Sequence, residues 1–384
     1  MRTSIFFCFT IIFLLLMSNQ MVAQPPSMDP HWELVWSDDF TADTIDLNKW
    51  TTSPGWGTCI DYSTQTDTNF SFSNGIITLI SRHQPSTCYL WEDGISYYSK
   101  DYTAGCLYST KSFKYGYFEI RSKFPYIDYR QRPVRNGSGF SPCFWLFPNY
   151  HREDFYDFVT YSEIDIYEIA GKQNRHTCNV HYGDTLHPYD LNDIEGLSWS
   201  LRIDSTYLSP NDSISKKCPY DFIVNDNKFH TFASEWNSKY VRMFYDNIFI
   251  RSAQKGDIFD ASKLIPMNIF ITNGANSWNF FQGKYDSITV NTILPYYYEV
   301  DYVKVYHLKC DKTSVVVEIP DFVSYNYAVK KSITMSSSTT IPPNTITCLR
   351  ATDFIELRDG FQTSTGATLY LTTCPCDTCS VIQY

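Results

Sequence analysis

Residues 161–170 constrain the chain more than any other stretch, because they place three carboxylates on one short segment with the pattern of a β-strand. Ile164 and Ile166 alternate with Glu163 and Asp165, so the apolar and the acidic side chains are expected on opposite faces. Carboxylates gathered on a buried strand repel one another and lose hydration, which is costly. The segment therefore favours a functional site over a purely structural strand.

Glu168 is the third carboxylate of the segment, and its spacing predicts a local irregularity. It lies five positions after Glu163, so a regular strand would turn it to the opposite face. One extra residue, a β-bulge near Ile166 and Tyr167, would return it to the face of Glu163, and bulges are common beside active sites. Two carboxyl groups about 5–5.5 Å apart suit a retaining double displacement at a glycosidic bond. Asp165 between them could hydrogen-bond Glu163 and help set the protonation of its neighbours.

The hexapeptide Glu163-Ile-Asp-Ile-Tyr-Glu168 resembles the Glu-x-Asp-x-x-Glu signature of glycoside hydrolase family 16, in its bulged, laminarinase-like form. The resemblance implies that Glu163 is the nucleophile, Asp165 the helper and Glu168 the acid/base. For the hexapeptide alone, the alternative is a structural strand that carries acidic residues by chance.

Ordered motifs extend this resemblance over residues 31–307. They are the opening segment 32–40 with Trp50, the Asn-Gly hairpin at 70–80, the alternating segment 113–125, and the strand-like segments 140–148, 176–183, 229–247, 266–273 and 298–306. The resemblance implies an all-β fold, an antiparallel β-jelly-roll sandwich whose concave sheet forms the substrate cleft. It implies no cofactor for catalysis.

Four residues outside the acidic segment are carried over from the resemblance. Trp145 matches a cleft tryptophan that stacks on sugar, His181 matches an inward histidine near the catalytic pair, and Trp278 stands where laminarinases often place another cleft aromatic. A core tryptophan and a satisfied structural histidine are the alternatives for the first two. Asp301 corresponds to an aspartate that many members use for a structural calcium, which requires several further oxygen ligands.

Two departures bear on the substrate. Laminarinases commonly carry Arg where this chain has Cys106, and the loop at 128–137 holds three arginines, which match sulfate or carboxylate oxygens unless the loop is simply solvated. The first candidate is an endo-acting retaining hydrolase of β-1,3-glucan of the laminarin type. The alternatives are a hydrolase of agar, porphyran or carrageenan-type galactan, and a non-catalytic glycan-binding protein on the same fold.

Charge and the first residues indicate where the protein acts. The net charge of −10 argues against nucleic acid as a partner. Residues 1–23 have the pattern of a secretory signal that ends at Ala23, too short for a comfortable membrane span, and no later stretch is long and apolar enough. We expect a flexible Pro-containing leader at 24–30. We also expect a monomer that is secreted or located at the cell surface or in the periplasm.

Cysteine use agrees with export. Twelve cysteines become eleven after cleavage, and disulfides are the default in an exported chain, although an odd number cannot all pair within it. The cluster Cys374, Cys376 and Cys379 could bind a metal, but it lacks a histidine or a second cysteine pair at zinc spacing.

Residues 310–384 differ in character from the domain expected at 31–309. Residues 333–348 and 355–371 look like two copies at a period near 22, which predicts a small stacked β-repeat domain. Residues 354–361 resemble a repeat module found at the C-termini of exported Bacteroidetes proteins. Its role could be adhesion, sugar binding or support of folding.

Overall fold

A computed structural model of the chain describes residues 26, 29–54, 57–60, 63–64, 67–91, 95–124, 140–148, 162–170, 175–182, 227–254, 260–275, 294–318, 325–377 and 380–383. Within these ranges the chain forms 24 β-strands and two short 3-10 helices, Asp67–Asn69 and Ala261–Lys263. The described part of the chain has no helix long and apolar enough to cross a membrane. The expected signal peptide and the loop at 128–137 lie outside the described residues.

The strands are numbered in chain order. The first twelve are β1 (Trp32–Asp38), β2 (Trp50–Thr51), β3 (Cys59–Ile60), β4 (Ser63–Thr64), β5 (Phe70–Ser73), β6 (Ile76–Trp91), β7 (Ile95–Thr103), β8 (Cys106–Lys114), β9 (Gly116–Lys123), β10 (Phe140–Phe147), β11 (Ser162–Ala170) and β12 (Arg175–Tyr182). The others are β13 (Phe229–Trp236), β14 (Tyr240–Tyr245), β15 (Ile248–Gln254), β16 (Met267–Ala275), β17 (Tyr296–Leu308), β18 (Ser314–Val317), β19 (Lys330–Met335), β20 (Thr340–Ile341), β21 (Ile346–Leu357), β22 (Gln362–Thr363), β23 (Thr368–Thr373) and β24 (Ser380–Gln383).

Two large sheets form the main body. The first has the order β15-β14-β13-β9-β17-β6-β7-β4-β3, with β1 added on β17 and β5 on β6. The second has the order β12-β11-β10-β16-β8-β2, with β24 added on β8. Nearly all of these pairings are antiparallel, so the predicted antiparallel sandwich is confirmed.

The core lies between the two sheets and follows from strand alternation. Phe144 and Leu146 of β10 face it, as do Phe118 of β9 and Val303 of β17, and all four side chains are fully buried. The opposite face of the second sheet carries the alternate side chains of its strands, among the described residues Trp145, Asp165, Asn179 and Phe270. We call it the cleft face.

The Asn-Gly hairpin predicted from the sequence is confirmed. Ser73 of β5 pairs with Ile76 of β6, and Asn74 and Gly75 between them have φ angles of 54° and 74°. Positive φ at both central residues is the geometry that Asn-Gly favours in a two-residue hairpin.

The C-terminal strands form a separate parallel ladder in the order β18-β19-β21-β23. Ile333 pairs with Ile355, and Thr347 pairs with Leu369, so equivalent strands stack at an offset of 22 residues. Val317, Met335 and Leu349 pack in the core of this unit. The last strand, β24, leaves the ladder and pairs with β8 of the second large sheet.

Two disulfides hold described parts of the chain, Cys59–Cys88 and Cys310–Cys376. The second joins the beginning of the C-terminal unit to the segment after its last ladder strand. The backbone of that segment places Cys374 in a buried position, next to the guanidinium of Arg350. The predicted presence of disulfides is therefore confirmed.

A buried polar network joins the beginning of the main body to the C-terminal unit. Asp29 Oδ2 accepts a hydrogen bond of 2.7 Å from Arg350 Nε, and Asp29 Oδ1 lies 2.6 Å from His31 Nδ1. His31 Nε2 lies 2.6 Å from the hydroxyl of Tyr325. Asp29, which lies near the end of the stretch expected to be flexible, is only 2% exposed, because its carboxylate is the counter-ion of a buried arginine.

The ionisation of Asp29 depends on this network. Burial alone would raise the pKa of Asp29, but the hydrogen bonds from His31 and the charge of Arg350 outweigh it and hold this pKa well below its usual range. Because the folded-state pKa lies below the unfolded-state value, the stabilisation is complete above the ordinary pKa of an aspartate and declines as the pH falls below it.

Breaking this ion pair on one side is expected to destabilise the protein strongly. Asp29→Asn or Arg350→Met alone should lower the free energy of unfolding by about 3–5 kcal/mol at pH 7, because each leaves the other group buried without its counter-charge. The double variant should lose clearly less than the sum. Chemical denaturation measures all three.

The control is Glu356→Gln, which removes one side of an exposed ion pair with Arg358, 3.5 Å apart. That change should cost at most about 1 kcal/mol. Additive effects of Asp29→Asn and Arg350→Met would contradict the coupling.

Candidate active site

Strand β11 carries the three carboxylates on the cleft side of the second sheet, between β10 and the edge strand β12. Asp165 pairs with Trp145 on one side and with Asn179 on the other. Glu163 pairs with His181. Strand alternation then places all five side chains on the cleft face, because the residues between them, including Ile164 and Val180, belong to the core.

The register of β11 shifts by one residue after Asp165. Asp165 pairs with Asn179, whereas Glu168 pairs with Thr177, so β11 has one residue more than β12 over this interval. The same shift is present against β10, where Trp145 pairs with Asp165 and Phe144 pairs with Tyr167. We call this feature the β11 register shift.

Tyr167 shows what the register shift does on the core side. Ile166 and Tyr167 are consecutive, yet both are buried in the core between the sheets. The Tyr167 hydroxyl hydrogen-bonds the hydroxyl of Tyr298 on β17 and lies 3.2 Å from Ser122 Oγ on β9. A buried hydroxyl needs hydrogen-bond partners, so these residues of the first sheet hold this part of β11 from the core side.

Asp165 is the most buried of the three carboxylates, with 3% of its side chain exposed. Its Oδ2 lies 3.1 Å from His181 Nε2. Burial, followed by the charge of Glu163 and a hydrogen bond with Glu163, raises the pKa of Asp165 well above its usual value, and a hydrogen bond with Asn179 opposes this. Asp165 therefore holds a proton that it can donate in its hydrogen bond with Glu163.

Glu168 lies on the far side of the register shift and still reaches the same cluster. Asn179 Nδ2 donates a hydrogen bond of 2.8 Å to Glu168 Oε2. Burial, and then the charge of Asp165, raise the pKa of Glu168 well above its usual value, while His181 and Asn179 act in the opposite direction. A carboxyl group with such a raised pKa can serve as a general acid near neutral pH.

Trp145 borders the carboxylates on the β10 side. It is partly exposed, its indole Nε1 donates a hydrogen bond of 3.2 Å to Thr272 Oγ1, and its ring centroid lies 4.6 Å from that of Phe270. Phe270 continues the row to Tyr108, at a ring distance of 4.8 Å. An aromatic ring held in this way beside a carboxylate cluster can form a flat apolar floor for a sugar ring.

Cys106 lies in the same apolar group as Tyr108, Phe147 and Phe270 and is fully buried. The position at which the family resemblance would place an arginine thus lies in an apolar environment. Any contact between that arginine and substrate has no equivalent at Cys106.

Among the predicted site residues, the structure brings together Glu163, Asp165, Glu168, Trp145 and His181. Trp278 lies outside the described residues. Sequence reasoning did not assign a role to Asn179, which contacts two of the three carboxyls. The alternation that placed His181 on the cleft face could have found it, because Asn179 is two residues away on the same strand.

Asp301 lies on β17 and forms an ion pair with Arg121. No group of three or more His, Cys, Asp or Glu residues that could hold a metal occurs among the residues that the structure describes. The described surroundings of Asp301 thus give it a guanidinium partner and do not supply the acidic ligands of a calcium cage. Calcium at Asp301 stays a prediction.

Comparisons with known proteins agree on the fold. No protein-family model matches the chain. The chain is 27% identical over 228 residues to a protein named Beta-glucanase from Rhodothermus marinus, and the match covers 57% of this chain and 64% of that relative. The chain thus spans less than two thirds of the length of this curated relative.

Solved structures with the same architecture are more distant in sequence. The catalytic domain of an endo-1,3-beta-glucanase (laminarinase) from Thermotoga petrophila RKU-1 has a TM-score of 0.50 and 22% identity, over 72% of this chain and 98% of that chain. SCLam, a non-specific endo-beta-1,3(4)-glucanase from family GH16, has a TM-score of 0.51 and 18% identity, over 75% of this chain and 94% of that chain. These similarities confirm the predicted all-β jelly-roll fold.

The buried carboxylates are expected to reduce stability. Because the folded-state pKa of Glu168 is raised, the folded state binds more protons than the unfolded state, and stability falls as the pH rises through this interval. Glu168→Gln keeps an acceptor for Asn179 and removes the ionisable group. Its Tm should exceed that of the unmodified protein by roughly 2–4 °C at pH 8, with a smaller difference at pH 4.

Thermal unfolding at both pH values tests this, with Glu356→Gln as an exposed carboxylate control that should show no such pH-dependent gain. A Glu168→Gln variant that loses the same Tm at both pH values would contradict the proposed cost of ionisation.

Proposed function

We propose that the protein is a retaining, endo-acting glycoside hydrolase of β-linked polysaccharide, with β-1,3-glucan of the laminarin type as substrate. The observation that carries this proposal is the cluster of Glu163, Asp165 and Glu168 on one face of β11, two of them with raised pKa values. A purely structural strand has no use for such a cluster. Paired carboxyl groups with different protonation are what glycosidic bond cleavage needs.

In the first step Glu163 is the nucleophile. Its carboxylate attacks the anomeric carbon while Glu168 donates its proton to the glycosidic oxygen, so that the bond to the leaving sugar breaks and a glycosyl ester on Glu163 forms. Asp165, which is protonated and hydrogen-bonded to Glu163, holds the nucleophile and limits the repulsion between the three carboxyls.

In the second step Glu168 is the base. Having lost its proton, its carboxylate takes one from a water molecule, whose oxygen attacks the anomeric carbon and displaces Glu163. Glu168 is protonated again and Glu163 is ionised again, so the site returns to its initial state. Two displacements at the same carbon retain its configuration.

The choice of β-1,3-glucan rests on similarity. The Rhodothermus marinus relative is named a β-glucanase, and the two solved structures are named as enzymes of 1,3- or 1,3(4)-linked β-glucans. The aromatic floor at Trp145 supports a pyranose ring beside the carboxylates. Galactan hydrolases remain in the test below because Cys106 departs from the laminarinase pattern.

Export of the protein is part of the proposal. The disulfides Cys59–Cys88 and Cys310–Cys376 fit an oxidising compartment, where a polysaccharide-degrading enzyme meets its substrate. We take Ala23 as the cleavage residue of the signal peptide and the monomer as the active form. Catalysis uses no cofactor, and Asp301 is the proposed position for a structural calcium.

Release of reducing ends tests the function directly. The purified protein is incubated with laminarin, mixed-linkage β-glucan, agarose, porphyran and carrageenan. We expect reducing ends from laminarin, in oligosaccharides of several lengths, because an endo-acting enzyme cuts within the chain. Glu163→Gln should lose at least about 10³-fold of this rate, the scale expected when a covalent nucleophile is removed.

Glu119→Gln is the matched control, since Glu119 is a buried glutamate of β9 in the other sheet and bonds Tyr302 at 2.9 Å. It should keep its activity. Release of reducing ends from a galactan instead of laminarin would change the substrate assignment to that galactan. No release from any of the five polymers, with retained binding to one of them, would favour the glycan-binding protein.

A further inference from the structure

We infer that Asn179 is the positioning residue of the acid/base: its amide selects which oxygen of Glu168 carries the catalytic proton. This inference rests on the proposed function and concerns the same site. Asn179 is 2% exposed and lies on β12, directly opposite Asp165 and on the cleft face. Its neighbours along the strand, Cys178 and Val180, are buried in the core, and their packing fixes the strand so that Asn179 faces the cleft side.

The contact with Glu168 exists because of the β11 register shift. Glu168 pairs with Thr177 along the backbone, yet the amide of Asn179, two residues further, reaches Glu168 Oε2 at 2.8 Å. Asn179 also hydrogen-bonds Asp165. One amide group therefore links the two carboxyls that stand on either side of the extra residue.

The direction of the hydrogen bond fixes the site of the proton. Asn179 Nδ2 is a donor, so Glu168 Oε2 must accept, and an oxygen that faces an N–H group at this distance is a poor place for a hydrogen atom of its own. The proton of the neutral Glu168 therefore sits on Oε1. Oε1 is then the oxygen that donates the proton to the glycosidic oxygen, and Oε2 is the oxygen held by Asn179.

The same bond serves both halves of the reaction. When Glu168 has given up its proton, the N–H group stabilises the carboxylate, since a hydrogen bond to the charged form favours that form. Asn179 thus lowers the pKa of Glu168 from the higher value that burial and neighbouring charges would set. Losing the amide should raise this pKa further and leave the carboxyl free to rotate.

The other described groups around Glu168 act on it differently from the amide. Asp165 and Glu163 are carboxyls on its own strand and raise its pKa, His181 lies on β12 and lowers it, and Cys143 pairs with it from β10. Of these, His181 is already placed at 3.1 Å from Asp165.

The test compares two substrates whose demand for an acid differs. Cleavage of laminarin needs a proton on the departing sugar oxygen, which is a poor leaving group. A 2,4-dinitrophenyl β-laminaribioside releases 2,4-dinitrophenolate, which departs without a proton. Asn179→Ala should reduce kcat on laminarin by about 10- to 100-fold, the scale of a misplaced catalytic group. It should leave the release of dinitrophenol in a pre-steady-state burst within about threefold of the unmodified enzyme, because that step needs no acid.

Two further readouts separate positioning from folding. The alkaline limb of the laminarin rate should move to higher pH in Asn179→Ala. The Glu168 carboxyl should also titrate at higher pH in Asn179→Ala. Its carbon NMR signal is assigned by its loss when Glu168→Gln is introduced. Asn179→Asp supplies a carboxylate instead of the donor and should move both in the same direction, with an equal or larger loss on laminarin.

Asn268→Ala is the matched control. Asn268 is also 2% exposed and lies in the same sheet, but its amide bonds the backbone oxygen of Ser109 at 2.7 Å. That change should lower stability without altering the ratio of the two substrate rates or the titration of Glu168.

The outcomes are distinct. Equal losses on both substrates, with the alkaline limb and the Glu168 titration unchanged, would overturn the positioning role while the hydrolase function stands. An unmodified protein that cleaves neither of these substrates nor any of the other polymers would overturn the proposed function. In that case a Glu168 titration that still moves in Asn179→Ala would support the contact between the two side chains by itself.

Discussion

One extra residue in strand β11 determines the arrangement of the whole site. In a regular strand, Asp165 and Glu168 would point to opposite sides of the sheet. The β11 register shift puts Tyr167 into the core and keeps Glu168 with the other carboxyls. The irregularity is held from the core side, where Tyr167 bonds Tyr298 and approaches Ser122 of the first sheet. The sandwich thus stabilises a strand that would be unfavourable by itself.

The fold lowers the electrostatic repulsion within the carboxyl cluster by keeping some of its members protonated. Three ionised carboxylates on a partly buried strand would repel one another strongly, and burial raises the pKa of both Asp165 and Glu168. Asp165 and Glu168 are then neutral, which reduces this repulsion. The proposed function takes both its nucleophile and its acid from this carboxyl cluster, with Asn179 and His181 on β12 as polar neighbours.

Much of this could be predicted from the sequence, since alternation and turn chemistry are local. Alternation around Glu163 identifies the strand, and Asn74-Gly75 identifies a hairpin. The network of Asp29, His31, Tyr325 and Arg350 could not be predicted, because it joins residues 321 positions apart and depends on how the C-terminal unit packs. The contact of Asn179 with Glu168 depends on register, which no spacing rule fixes across a strand with an extra residue.

The central claim is that Glu163 forms a covalent bond to the sugar. A 2,4-dinitrophenyl 2-deoxy-2-fluoro-β-laminaribioside should form this ester quickly and release it slowly, so that the intermediate accumulates and can be located by mass spectrometry of peptides. We expect the added mass on Glu163, and no adduct in Glu163→Gln. An adduct on Asp165 or Glu168, or a protein that hydrolyses laminarin with inversion and never becomes labelled, would contradict it.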